Sequence, residues 1–208
     1  MTESTGLREL KKARLRETIA DTAIRMFLES GFDQVSITDI ARAAEVSRRT
    51  LFAYFPTKED LVLHRFADHE EEAARVVRSR RPGQPALDAL EESILAALQA
   101  RDPNTGLNDN PETMAFLQLI SGTESLAARL LRYATRGTTA LTDALTDAGF
   151  DLLTARLTAA QLIALQHQLA FMNHDALTRG ESATHRYPQA VRATNHTFNL
   201  LRNGLNSL

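Results

Sequence analysis

Residues 36–55 read SITDIARAAEVSRRTLFAYF, and their pattern decides what kind of fold the rest of the chain must support. Ser36 and Asp39 are spaced as a capping box, in which a serine oxygen accepts a free N–H at a helix start and an acid three residues on reaches back. Ser47 offers a second cap soon afterwards. Two short helices are therefore expected, over about 36–44 and 48–54, joined by a tight turn. Ile40, Ala41, Ala44, Val46, Leu51 and Phe55 are placed to lock them into a fixed crossing. The remainder of the second helix, Arg48, Arg49, Thr50 and Tyr54, then faces outward. That is the chemistry that contacts phosphates and base edges in a DNA major groove, where a generic bundle exposes Glu and Lys.

Working outward, the preceding helix, expected over about 10–29, repeats Leu15, Ile19, Ala23 and Phe27 every four residues and closes at Gly31. Before it lies a basic arm. Residues 8–16 hold Arg8, Lys11, Lys12, Arg14 and Arg16 against Glu9, five minus one or four positive charges. On the other side, Thr57 and Asp60 box the start of a helix expected to run unbroken to about Arg80, ending at Arg81-Pro82-Gly83-Gln84-Pro85. Further helices are expected at 86–101, from Asn110-Pro111, from the box Ser121–Glu124 to Gly149, from the box Thr158–Gln161 to Gly180, and at 184–203. With no alternating β-branched run, the chain reads as all-α with about nine helices, and 102–111 as its mobile loop.

Composition bounds the function. The net charge of −2 disfavours nucleic acid only for the chain as a whole, since the positive charge is concentrated at the start. The absence of cysteine excludes disulfides and thiolate metal sites. No run is long and apolar enough for a bilayer and the N-terminus lacks a secretory h-region, so a cytoplasmic protein without a membrane partner is expected. No nucleophile elbow, phosphate-binding glycine loop or HExxH stands in the sequence, so neither an enzyme nor a bound cofactor is expected. A metal-responsive regulator is one alternative, through His64, Asp68 and His69, although His64 and His69 diverge by about 140° on a helix. A helical protein-interaction module is another, against which the arm and the Arg48-Arg49 pair argue.

The stretch from Arg14 to Leu63 resembles the DNA-binding domain of the TetR/AcrR family of transcription regulators. The resemblance rests on Phe27, Gly31 and Phe32, then Ser36, Ile40 and Ala41, then Val46-Ser47, Tyr54-Phe55 and Lys58-Glu59, all at the family's spacing. Glu45 departs from it where glycine is usual in the turn, and Phe52 where tyrosine is common. The resemblance implies a helix-turn-helix domain over 1–56 and a ligand-binding and dimerisation domain over 57–208. It implies a homodimer that binds double-stranded operator DNA, palindromic to match the two-fold axis, as a repressor released by a small, mostly apolar effector. Arg14, Ser36, Thr38, Ser47, Arg48, Arg49, Thr50, Tyr54 and Lys58 become the expected DNA contacts. Arg48 and Arg49 suit guanine, Ser36 and Lys58 suit phosphate, and Ser47 is more a cap than a contact.

Two heptad-like seams stand in the second half. Leu162, Leu165, Leu169 and Met172 form one, and Val191, Thr194, Phe198, Leu201 and Leu205 the other. Spacing alone leaves them as intramolecular packing or as an interface; the resemblance, in which the last two helices pair with a second copy's, favours the interface. The other face of the first seam's helix, with Ile163, His167, Ala170, Phe171 and His174, is then expected against its own subunit. Phe66, His69, Gln118, Tyr133, His167, Phe171 and His174 are the candidate effector-binding residues, polar or aromatic groups on apolar stripes. An unbroken helix over 57–80 would serve as a rod carrying effector binding to the DNA end.

Overall fold

A computed structural model describes residues 2–67 and 69–204; Asp68 and Leu205, both used above, lie outside the described residues. Among the described residues there are ten α-helices, one 3-10 turn and no strand. The helices are α1 Thr2–Ser30, α2 Ile37–Ala43, α3 Arg48–Tyr54, α4 Asp60–Ala67, α5 Glu72–Ser79, α6 Ala86–Gln99, α7 Pro111–Gly122, α8 Glu124–Asp147, α9 Leu152–Thr178 and α10 Ala183–Asn203. The chain forms two compact units, one of residues 1–67 with 115–130 and the other of 68–114 with 131–208. The boundary expected at 56/57 thus falls at 67/68, and the end of α7 and start of α8 join the first unit.

In the first unit α1 packs on α2 and α4, and α2 on α3. Ile19, Ala23 and Phe27 of α1 are buried with Ile40, Ala41 and Ala44 of α2, Leu51 of α3, Phe55, and Leu61 to Leu63 of α4. The expected lock of the two short helices is present, with Val46 half-buried. Far from the chain start in sequence, Arg129 of α8 grips Asp60 through two hydrogen bonds of 2.8 and 2.9 Å. The same carboxylate accepts from the Thr57 N–H and hydroxyl, so the expected box at Thr57 forms and is anchored by a residue that local sequence does not reveal.

The second unit has a core of Ala73, Ala74 and Val77 of α5, Leu90 of α6, Leu141, Ala144 and Leu145 of α8, Ala155, Ala159 and Leu162 of α9 and Phe198 of α10. The helix expected over 57–80 is interrupted: His69, Glu70 and Glu71 form a turn between α4 and α5. A tertiary contact holds this turn. Glu70 pairs with Arg136 at 3.4 Å, and its carbonyl lies so close to Gly137 that a Cβ there would come within 2.9 Å. No unbroken rod exists.

Two other expectations fail for similar reasons. The box Thr158–Gln161 lies inside α9, which starts six residues earlier because Asp151 accepts from the Leu153 and Thr154 N–H groups at 3.1 Å. Ser121 and Gly122 belong to α7 rather than opening α8. The supposedly mobile loop 102–111 is built into the unit. Asn173 donates to the Thr105 carbonyl at 3.0 Å, Asp109 caps α10 by accepting from Ala183 N–H at 2.8 Å, and Leu107 is fully buried. Gly106, at φ +67°, sits against the Ala170 carbonyl, where a Cβ would approach to 2.0 Å.

Candidate DNA-binding surface

The surface is made by the caps that fix α2 and α3. Ser36 precedes α2 in extended conformation and accepts from Asp39 N–H at 3.1 Å, while its hydroxyl donates to the Asp39 carboxylate. That hydroxyl holds the Asp39 carboxyl below the usual carboxylate range, with Arg42 adding to the effect. Ser36 is therefore the cap of α2, with its hydroxyl on the Asp39 carboxylate. Ser47 caps α3, accepting from Thr50 N–H at 3.0 Å and pairing with the Thr50 hydroxyl at 2.8 Å. Between the helices Glu45 adopts φ +54°, the left-handed turn in which it stands for the usual glycine.

Behind that turn, α3 buries Leu51 and leaves Arg48, Arg49, Phe52 and Ala53 exposed, with Thr50 and Tyr54 half-buried. Among the described residues neither arginine has an ion pair with its own chain, whereas Arg42 pairs with Asp39 at 3.4 Å. Thr38 and Arg14 are also exposed. Phe52 was not among the expected contacts. An exposed phenylalanine on a recognition helix suits the methyl group of thymine. Its signal lay in the sequence as an apolar residue off the buried line of α3.

Lys58 departs from its expected role. Its ammonium donates to the Phe32 carbonyl and lies 4.4 Å and 5.4 Å from the Phe32 and Phe27 ring centroids. Partial burial lowers its pKa. Lys58 ties the loop after α1 to the turn before α4, and is not a free phosphate contact. His64 is nearly fully buried, edge-on to Phe55 at 5.6 Å, with Nε2 3.7 Å from the Glu17 carboxylate. Burial depresses its pKa against the opposing pull of Glu17.

The expected effector residues are not gathered at one place. Phe66 stacks on Phe116 at 6.1 Å in the first unit, where Gln118 is exposed. In the second unit His69 pairs with Glu72 at 2.8 Å on the surface, so it lines no apolar cavity. Tyr133 is half-buried under Arg136, His167 and Phe171 are exposed, and His174 is half-buried with a buried Nδ1 lacking a hydrogen-bond partner. An open cleft of about 490 Å³ in the first unit, lined by Asp33, Gly122, Thr123, Glu124, Ser125 and Ala128, contains none of them. Among the described residues no three His, Asp or Glu side chains cluster as metal ligands.

The expected dimer seams are largely buried within the chain. Leu162, Thr194 and Phe198 are at most 2% exposed, Leu162 and Phe198 lie in the core, and Val191 and Leu201 pack against core clusters. Leu165 and Leu169 are half-buried, and Met172 is exposed. The open face of α9 is instead Leu153, Leu157, Ala160, Ala164, His167 and Phe171, at alternating steps of four and three. Leu153 is 68% and Phe171 59% exposed.

A short capped helix, a left-handed turn and a second capped helix with its arginines outward make a helix-turn-helix. Residues 19–64 match the model of the family described as bacterial regulatory proteins, tetR family. The chain is 31% identical over 128 residues to the HTH-type transcriptional regulator TcmR of Streptomyces glaucescens, covering 61% of this chain and 57% of TcmR. It is 36% identical over 92 residues to MftR of Mycobacterium tuberculosis, covering 42% of this chain and 46% of MftR. The match thus spans about half the length of these relatives. In fold it is similar to NalD, the secondary repressor of the MexAB-OprM multidrug efflux pump in Pseudomonas aeruginosa, with TM-score 0.58 and 20% identity over 89% of this chain and 97% of NalD. FadR from Bacillus subtilis, solved with stearoyl-CoA, aligns with TM-score 0.51 and 17% identity over 91% of this chain and 98% of FadR. Over residues 19–64 the chain is thus similar to the TetR family of bacterial regulatory proteins. No helix among the described residues is long and apolar enough to cross a membrane.

Proposed function

We propose that this protein is a transcription regulator that binds a palindromic double-stranded operator as a homodimer and is released by a small, mostly apolar effector. The observation that carries the reading is α3, which offers Arg48 and Arg49 exposed and without ion pairs among the described residues, behind the Ser47 cap. Phe52, Thr38 and Arg14 complete the contact set. Support for dimerisation comes from the exposed apolar stripe of α9, because a two-fold partner would cover it and supply the symmetry a palindrome needs. The regulator TcmR and the repressor NalD support regulation, and the FadR complex with stearoyl-CoA supports an effector that carries an apolar chain. The effector is assigned to the second unit, where the unpartnered Nδ1 of His174 is the polar group best suited to orient it.

The test is R48A/R49A, measured by fluorescence anisotropy on an operator selected from a random duplex pool. Each lost guanine contact removes about 1 to 3 kcal/mol of discrimination, with helix content and dimer unchanged. Unaltered sequence preference in the double variant would overturn the assignment of α3.

A further inference from the structure

Around the loop 102–111 of the second unit, basic groups are buried without carboxylates to match them. Arg186, near the start of α10, is only 6% exposed. Its guanidinium donates to neutral oxygens, from Nε to Asn173 Oδ1 at 3.3 Å and from Nη1 to Gln189 Oε1 at 2.8 Å. Asn173 in turn donates to the Thr105 carbonyl, so Arg186 rests on the side chain that pins the loop to α9. Arg101 opens the same loop. Its carbonyl accepts from Asn108 at 2.7 Å, and its guanidinium lies 4.8 Å from the ring centroid of Tyr187, the residue after Arg186.

Among the described residues three buried side-chain polar atoms have no hydrogen-bond partner, and two of them border this loop: Nη1 of Arg101 and Nδ1 of His174, the residue after Asn173. The third, Nε2 of His64, faces the Glu17 carboxylate at 3.7 Å. The acids nearest in sequence are engaged elsewhere. Asp102 accepts from Asn104 N–H and Asp109 from Ala183 N–H, each at 2.8 Å, while Asp175 pairs with Arg179 and Glu181 with His185. Neither Arg101 nor Arg186 has an ion pair among the described residues. Water could satisfy both orphaned atoms but would bring no charge, and a buried guanidinium without a counter-charge is strongly unfavourable. An oxyanion supplies both, since its oxygens accept from guanidinium forks and from an imidazole N–H alike. Burial lowers the pKa of His174 against the pull of Asp175, so the ring is neutral near pH 7 and keeps one N–H to donate.

We infer that the second unit holds a small oxyanion, a carboxylate or phosphate group, at the loop 102–111, bound by Arg101, His174 and Arg186. The inference deepens the effector reading above and rests on it in one respect, that this group is the polar end of the effector that His174 orients.

The experiment titrates the isotope-labelled full chain with sodium phosphate and, separately, with sodium acetate, each against sodium chloride at equal ionic strength. It follows the arginine Nε–H signals by NMR, assigned through R101Q and R186K. The signals of Arg101 and Arg186 should shift together and saturate with an oxyanion, and not with chloride. Saturation by acetate alone identifies a carboxylate, by phosphate alone a phosphate, and by both a site that accepts either. Arg101 is only half-buried, so R101Q should fold as the native chain does and weaken binding about 10-fold through loss of a charge-assisted hydrogen bond. H174L, which removes the second orphaned atom, should weaken it as well. No saturable shift in the native chain, or native affinity in both R101Q and H174L, would overturn the inference. The effector reading fails separately, if a panel of apolar compounds with and without acid groups leaves the operator affinity of the native chain unchanged.

Discussion

The α2–α3 pair and the α9–α10 pair are both two helices joined by a tight connection, yet one follows from local signals and the other does not. In the first, each seven-residue helix has room for one apolar line, and the caps Ser36 and Ser47 set its ends. Only one crossing satisfies both. The second pair has 27 and 21 residues, and α9 carries more than one stripe at steps of four and three. Leu162, Leu165 and Leu169 form one such line on α9, and Leu153, Leu157, Ala164 and Phe171 another. Either could meet the core. The more aliphatic-looking line supplied Leu162 to the core, and its neighbour remained open. A long amphipathic helix states that it packs, and its partners decide by which face.

That comparison can be broken most sharply at Phe198 and Leu157. Phe198→Asp buries an unpaired charge and removes a core ring, a loss of about 5 kcal/mol or more, comparable to the whole stability of a domain. Circular dichroism should show an unfolded or molten second unit. Leu157→Asp, on the open stripe, should leave the helices intact and yield a monomer by light scattering. A folded monomer from Phe198→Asp, or a native dimer from Leu157→Asp, would restore the original assignment of faces.

A smaller effect sharpens the contrast between local and distant control at the two left-handed residues Gly106 and Glu45. Gly106→Ala meets both backbone strain and the Ala170 carbonyl, and should cost about 2 to 5 kcal/mol, read as a lower urea midpoint. Its contact lies 64 residues away in sequence, so nothing near Gly106 announces it. The smallest effect is expected at Glu45, whose φ of +54° is set by the turn alone. Glu45→Gly should raise the stability of the first unit by about 1 kcal/mol with DNA binding retained. A loss of stability there would mean that the side chain contributes more than its strain costs.

The candidate site divides along the same line. Arg48 and Arg49 were legible because exposure on α3 follows from its single apolar line. Lys58 and Ser36 stand at helix starts, a position that admits two roles, and only the packed structure shows the ammonium over Phe32 and the hydroxyl on Asp39. The effector residues were the least legible. A histidine on an apolar stripe is the same in sequence whether it meets Glu72 on the surface, as His69 does, or turns inward, as His174 does.

By itself the sequence determined the all-α class, the caps and turn of the helix-turn-helix, its lock of Ile40, Ala41, Ala44, Leu51 and Phe55, and the basic charge of the first helix. These depend on interactions within about four residues along a helix, or between neighbours across one turn. The tertiary structure alone decided the break at 69–71, the grip of Arg129 on Asp60, the order of the loop 102–111 and the face by which α9 enters the core. Each depends on a contact between residues tens of positions apart, where close packing selects one of several locally equivalent arrangements.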